Sequence, residues 1–122
     1  MIKNAINWFE IPVSDLARAT AFYEELVQVT FSHESSDGID MAIFPYDEKT
    51  VTGCLVAAPF LSPSPTGSIV YLNVEGMLDA TIERAVAQGA EVPLPKMDIG
   101  PNGFIAHIFD SEGNRVGLHS MT

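Results

Sequence analysis

Three side chains are the candidates for proton transfer near neutral pH, namely one carboxylate and two of the three imidazoles in this sequence. Glu10 lies in an early apolar stretch, and His107 and His119 lie near the end of the chain. A carboxylate with a raised pKa and a histidine are common partners in general acid–base catalysis. The sequence therefore offers Glu10, His107 and His119 as candidate catalytic residues. The alternatives are a rim carboxylate paired with Arg115 or water, a hydrogen-bonded core histidine and a histidine that merely ends a strand.

Alternating strand patterns place these candidates among aromatic and polar neighbours. Successive side chains of a strand point to opposite faces, so residues two apart share a face. In the strands that carry the candidates, one set of positions suits a helix-packed face and the other set mixes aromatic and polar groups. The second set gives the candidate ligand-binding residues, which are Trp8, Ile69, Tyr71, Asn73, Ile105, Phe109, Arg115 and Gly117. A concave wall of this composition is typical of a small-molecule site.

Gly117 interrupts the last predicted strand, "RVGLHS", at residues 115–120. Glycine weakens a strand interior and often marks a place where another group approaches the backbone closely. We expect Gly117 to leave room for a ligand or for Trp8. The glycine-rich loop at 97–103 is either an ordinary connection or a lid, and Cys54 lacks a basic partner that would make it a nucleophile.

The elements that position these residues occur twice in the same order. Amphipathic helices are predicted over 14–28, with Ser14 or Asp15 as N-cap, and over 77–88, with Gly89 as the C-terminal cap. Each helix follows one strand and precedes three. We therefore expect an α+β fold of two βαβββ modules, residues 1–58 and 67–122, joined by a linker at 59–66. The modules would form a curved, eight-stranded, half-barrel-like sheet with the helices on the outside.

The length and charge of the chain limit the kinds of partner that it is expected to bind. The 122 residues suit a single domain, and a net charge of −10 disfavours nucleic acid and anionic membrane surfaces. No apolar run approaches the roughly 20 residues of a membrane helix, and the start of the chain lacks a signal-peptide pattern. Cys54, the single cysteine, cannot form an internal disulfide. We expect a cytoplasmic protein with no nucleic-acid or membrane partner.

The doubled βαβββ pattern, "IPVSDLARATAFYEEL" and "DSEGNRVGLHS" resemble the vicinal oxygen chelate superfamily. That group includes glyoxalases, bleomycin- and fosfomycin-resistance proteins and extradiol dioxygenases. The resemblance implies that metal-using members place His, Glu or Gln ligands at four strand positions. These positions correspond here to Trp8, Val56, Ile69 and Gly117, whose side chains cannot coordinate a divalent ion. We expect no metal at that site and no other cofactor.

Three hypotheses for the function follow. The first is a metal-free protein that binds a small organic ligand, aromatic or otherwise planar, in a cavity between the modules. The second is a lyase or isomerase related to lactoylglutathione lyase, using Glu10 with His107 or His119 for proton transfer. The third is a structural module with an unused cavity. The resemblance also implies a homodimer, and the sequence leaves open whether Glu10, His107 and His119 converge on a non-standard metal site.

Overall fold

Residues 4–122 form eight strands and two α-helices in the predicted order. The structure is a computed structural model that describes residues 4–122, so the first three residues of the predicted first module lie outside the described residues. The first half contains β1 (Trp8–Pro12), α1 (Leu16–Val27), β2 (Ser32–Ser36), β3 (Ile39–Ile43) and β4 (Thr52–Ala57). The second half contains β5 (Tyr71–Asn73), α2 (Leu78–Ala87), β6 (Leu94–Asp98), β7 (Phe104–Phe109) and β8 (Arg115–Ser120).

The strands form two four-stranded mixed sheets. The first sheet has the order β1-β4-β3-β2, and the second has the equivalent order β5-β8-β7-β6. In each sheet the first pair is parallel and the other pairs are antiparallel. The predicted α+β fold of two βαβββ modules is therefore confirmed, with the eight strands divided between two open sheets that do not close into a barrel.

Capping contacts and backbone conformation mark the ends of the two helices. Asp15 is the N-cap of α1, because its Oδ1 accepts a hydrogen bond from the Arg18 amide at 3.0 Å. The helix ends at Gln28, which adopts a left-handed conformation with φ 56°. Gly89, with φ 89°, follows the last residues of α2 as expected for a C-terminal glycine. Among residues 4–122, neither helix is long and apolar enough to cross a membrane.

One contiguous core joins the two halves of the chain. Each helix covers one face of its own sheet, and α1 also contacts α2. The largest side chains in this core include Tyr23, Leu26, Leu55, Leu78, Ile108 and Leu118. Because the helices cover only one face of each sheet, the opposite face of the second sheet is left partly open, with Tyr71 44% exposed.

Strand β5 is short, spanning three residues. Within residues 4–122 it is an edge strand, so its ladder has a partner, β8, on one side. Two further backbone bonds flank it, from the Gly117 amide to the Val70 carbonyl at 2.8 Å and from the Val74 amide to the His119 carbonyl at 3.0 Å. These bonds fix the register that positions the site.

The turn between β7 and β8 ties the second half of the chain to the start of α1. Glu112 Oε1 accepts hydrogen bonds from the Ser14 and Asp15 amides, each at 2.9 Å. Its Oε2 accepts a bond from Arg18 Nε at 2.7 Å. The Arg18 contact is the main cause that lowers the Glu112 pKa to about 2. A carboxylate at a helix N-terminus is also favoured by the helix dipole.

Candidate functional site

The open face of the second sheet carries a row of three aligned residues. Tyr71 on β5 is level with Gly117 on β8, and His107 on β7 is level with the same glycine. Adjacent strands are about 4.8 Å apart, so Tyr71 and His107 are separated by about twice that distance. The tyrosine spans the gap, and its hydroxyl lies 2.6 Å from His107 Nε2.

Gly117 is required because the Tyr71 ring crosses directly above it. A Cβ at position 117 would lie 2.3 Å from Tyr71 Cδ1 and 2.5 Å from Cε1. The expectation that this glycine makes room for a ligand or for Trp8 is therefore corrected, since Tyr71 occupies the space. Trp8 lies on β1 in the other sheet, 42% exposed, where its Nε1 donates to Glu10 Oε2 at 3.4 Å.

His107 has both ring nitrogens in hydrogen bonds. Its Nδ1 accepts from Arg115 Nε at 2.8 Å, and its Nε2 contacts the Tyr71 hydroxyl. Partial burial, followed by the positive charge of Arg115, lowers the pKa of His107. The structure thus brings together three of the predicted site residues around Gly117, while a catalytic role for His107 stays a prediction.

The same face continues with apolar and locally bonded side chains. Ile105 and Phe109 flank His107 along β7 and are half-buried, and the Arg115 guanidinium lies 6.0 Å from the centre of the Phe109 ring. Asn73 Oδ1 accepts from the Glu75 amide at 3.0 Å, so this oxygen helps to shape the turn after β5.

His119 holds the loop at 97–103. Its Nε2 lies 2.6 Å from the Asn102 carbonyl oxygen, which can only accept, so this nitrogen is the donor. A short 3₁₀ turn at Gly100–Asn102 and a bond from the Ile99 amide to the Gly103 carbonyl at 2.8 Å tie the loop down further. These contacts favour an ordinary connection over a lid, and a catalytic role for His119 stays a prediction.

Within residues 4–122, the Glu10 side chain accepts its hydrogen bond from Trp8 and not from a histidine. It lines a small cleft of about 150 Å³ together with Ser62, Ser64 and Arg115. Between residues 4 and 122 the ion pairs are Arg18–Glu112 and Lys96–Asp79, so the alternative pairing of Glu10 with Arg115 is not made. Over the same described range, no three His, Cys, Asp or Glu side chains are grouped so that they could hold a metal ion. The sequence left open whether Glu10, His107 and His119 converge on a metal, and the described residues do not form such a cluster.

A larger cavity, of about 910 Å³, lies beside the edge strand of the second sheet. We name it the β5 cavity. Three predicted ligand-binding residues line it, namely Ile69, Tyr71 and Asn73. Its other walls include Ile6, Phe9, Val27, Val29, Phe44 and Val51. Phe9 both packs against the core and lines the cavity, and it was not among the predicted ligand-binding residues because nothing in the sequence distinguishes an apolar residue at the edge of a core from one at its centre.

Cys54 is fully buried on β4. Burial is the main cause that raises the pKa of its thiol to about 12, and the charge of Glu10 adds to it. A thiol in this state supplies little thiolate near neutral pH, in agreement with the sequence-based view that Cys54 is not a nucleophile.

Comparison with known proteins identifies the family. A model of the Glyoxalase/Bleomycin resistance protein/Dioxygenase superfamily matches residues 5–118, and the chain belongs to that superfamily. CFP32 of Mycobacterium tuberculosis, which carries the provisional name of a glyoxylase, is 29% identical over 120 residues. The match covers 92% of this chain and 44% of that protein, so the chain spans less than half the length of this curated relative.

Solved structures share the fold at low sequence identity. A glyoxylase/bleomycin resistance protein/dioxygenase domain from Frankia is 18% identical with a TM-score of 0.73, covering 94% of this chain and 95% of that chain. The Listeria monocytogenes fosfomycin resistance protein FosX, complexed with Mn(II) and a dihydroxypropylphosphonic acid, is 20% identical with a TM-score of 0.70; coverage is 98% and 93%. Leishmania major glyoxalase I is 14% identical with a TM-score of 0.71, covering 98% and 88%.

The superfamily resemblance assigns the metal-ligand positions of metal-using members to four residues that do not fit a divalent ion. Trp8, Val56, Ile69 and Gly117 offer no side-chain oxygen, sulfur or imidazole nitrogen for coordination. The space above Gly117 is filled by the Tyr71 ring, and Val56 is 2% exposed within a small apolar cluster that also contains Cys54.

Proposed function

We propose that this protein binds a small organic ligand in the β5 cavity without using a divalent ion. The observation that carries the proposal is the cavity itself, about 910 Å³ and bordered mainly by aliphatic and aromatic side chains. Ligand pockets typically measure about 300–1,000 Å³ and combine an apolar wall with a few polar groups. Tyr71 and Asn73 supply such groups at its edge.

The enzyme hypothesis receives less support from the geometry. It requires Glu10 to act with His107 or His119, but His107 contacts Tyr71 and Arg115, and His119 holds the Asn102 carbonyl. Lyase or isomerase activity stays an alternative prediction, and so does the structural module. A cytoplasmic location likewise stays a prediction from the single cysteine.

A cavity-filling substitution tests the proposed ligand site. Val51 is 42% exposed and lines the β5 cavity, whereas Val86 is 55% exposed on α2 and is not among the residues that line it. In a chelator-containing buffer, a panel of small aromatic and aliphatic compounds should produce saturable NMR shift changes at residues 69–73. We expect Val51→Trp to weaken the best binder about tenfold or more, a loss of about 1.4 kcal/mol or more. The matched Val86→Trp variant should bind like the wild type.

Equal affinity in both variants would place the ligand outside the β5 cavity. A wild type that shifts with no compound across the panel would favour the structural module instead. Binding that appears only after a divalent ion is added would contradict the metal-free part of the proposal.

We also propose that two copies of the chain pair, as members of the superfamily often do. Ile6 and Val51 on the cavity wall are 60% and 42% exposed, and Tyr71 is 44% exposed beside them. Exposed apolar groups around a cavity favour burial against the surface of another protein chain. Sedimentation equilibrium should give about twice the chain mass of 13.2 kDa. A mass of one chain at all concentrations tested would contradict pairing.

A further inference from the structure

The contacts around His107 determine which of its two nitrogens carries a proton. Arg115 Nε is always a donor, because a guanidinium has no acceptor atom and stays charged in proteins. It lies 2.8 Å from His107 Nδ1, so Nδ1 must present its lone pair. A neutral imidazole with an unprotonated Nδ1 carries its single proton on Nε2.

That proton directs the next hydrogen bond. His107 Nε2 lies 2.6 Å from the Tyr71 hydroxyl oxygen, so the imidazole donates and the tyrosine oxygen accepts. A tyrosine hydroxyl has one proton of its own to donate. In this arrangement the hydroxyl proton of Tyr71 is not donated to His107. Because the Tyr71 side chain is 44% exposed, its hydroxyl can donate that proton to a group over the open face of the second sheet.

We propose that Arg115 fixes the Nε2–H tautomer of His107, and that His107 in turn positions Tyr71 as a hydrogen-bond donor to an oxygen atom of the ligand. This inference rests on the proposed ligand-binding function and names the chemistry of the ligand. His107 is then a positioning residue, and Tyr71 is the residue that touches the ligand.

The surroundings favour an aromatic ligand with a carbonyl or phenolate oxygen. Tyr71 lines the β5 cavity and also reaches His107 on the open face, so a ligand that extends from the cavity past Tyr71 meets Ile105 and Phe109, two half-buried side chains outside the cavity lining. Arg115 brings a positive charge to the same face, and its recorded hydrogen bond uses only Nε. The Arg115 guanidinium shares a small cleft with Glu10, and more distant surface charges are screened beyond about 8 Å at physiological ionic strength.

The tautomer is tested without any ligand. Long-range hydrogen–nitrogen NMR of isotope-labelled protein distinguishes Nε2–H from Nδ1–H at His107. We expect only Nε2–H in the wild type and an added Nδ1–H population in Arg115→Met. Lys49→Met, which removes an exposed charge in a loop of the first half of the chain, should leave the spectrum unchanged. An Nδ1–H or doubly protonated His107 in the wild type at neutral pH would overturn the inference.

The donor role of Tyr71 is tested with 4-nitrophenol, whose absorbance reports the ionisation of its hydroxyl. We expect the wild type to bind it with a shift toward the phenolate spectrum. Tyr71→Phe should weaken binding about tenfold, as expected for one lost hydrogen bond to a charged oxygen, and abolish the spectral shift. Tyr46→Phe, at a 64% exposed tyrosine in a loop, is the matched control and should change neither.

Substitutions at His107 separate positioning from simple packing. His107→Gln keeps an N–H at the end of the side chain and should retain most of the affinity for 4-nitrophenol, whereas His107→Leu should lose it as Tyr71→Phe does. Equal affinity of wild type and Tyr71→Phe would overturn the donor role. A folded wild type that does not bind 4-nitrophenol would overturn the assigned ligand class. In both cases the proposed function would still be judged by the wider panel and the Val51→Trp variant.

Discussion

Replacing Gly117 with alanine is expected to separate Tyr71 from His107 and to weaken 4-nitrophenol binding about tenfold or more. The new Cβ would lie 2.3 Å from Tyr71 Cδ1 and 2.7 Å from Cγ. A contact with Cγ cannot be relieved by a small tilt at the far end of the ring, so the whole side chain must move. Thermal unfolding should show a loss of about 1–2 kcal/mol, the usual cost of overpacking.

The control is the same substitution in a Tyr71→Ala background. Without the ring, Gly117→Ala removes only the flexibility of glycine in a strand and should be neutral or stabilising by about 0.5–1 kcal/mol. The difference between the two backgrounds isolates the clash from any general intolerance of strand β8. A Gly117→Ala protein with full stability and full affinity would contradict the account of this glycine.

Replacing Glu112 with alanine is expected to give the largest loss of stability, about 3 kcal/mol, or about 10 °C in Tm. Its side chain is fully buried and accepts bonds from the Ser14 and Asp15 amides and from Arg18. Removing it leaves those amides at the start of α1 without their carboxylate and releases the turn between β7 and β8 from α1.

The matched control for this substitution is Arg18→Ala. The Arg18 side chain is 54% exposed, and without it the carboxylate still accepts both backbone amides. We expect a clearly smaller loss of stability than in Glu112→Ala, as for a partly exposed ion pair. Equal losses in the two variants would show that the backbone contacts of Glu112 contribute little.

The low pKa of the Glu112 carboxyl predicts that the free energy of unfolding falls in acid. The pKa of Glu112 is lowered from 4.5 to about 2 in the folded protein, with the Arg18 hydrogen bond as the first cause. Its contribution is therefore complete above about pH 4.5 and is lost as the pH falls toward 2. Denaturant unfolding of wild type and Glu112→Gln should converge across this range. A constant difference between them down to pH 2 would contradict the assignment.

The sequence predicts which side chains share a face but not which of them meet. Tyr71, His107 and Gly117 fall on one face because strand side chains alternate with a period of two. Their contact depends on the register between β5, β8 and β7, which is set by backbone bonds such as that from Gly117 to Val70. Neighbouring residues along one strand contain no information about that register. Tyr71 was thus identified as a candidate, while its position above the glycine was not.

The location of the cavity also could not be predicted from the sequence. The prediction placed one pocket between two concave faces, whereas the structure divides the candidates. Ile69, Tyr71 and Asn73 line the β5 cavity, and Glu10 shares a small cleft with Arg115. The division follows from how two separate sheets are placed against each other, which depends on contacts between α1 and α2 and on the Glu112 turn. Hydrophobic periodicity predicts the strands of each sheet, but it does not predict how the two sheets are placed relative to each other.

A manganese titration tests most directly the proposal that this chain binds a ligand without using a divalent ion. Mn²⁺ broadens the NMR signals of nuclei near a bound ion, so each backbone amide of the labelled protein reports its own distance. We predict that any broadening follows the scattered acidic surface and leaves the amides of Trp8, Val56, Ile69 and Gly117 sharp. Saturable broadening centred on those four amides at one ion per chain would contradict the account.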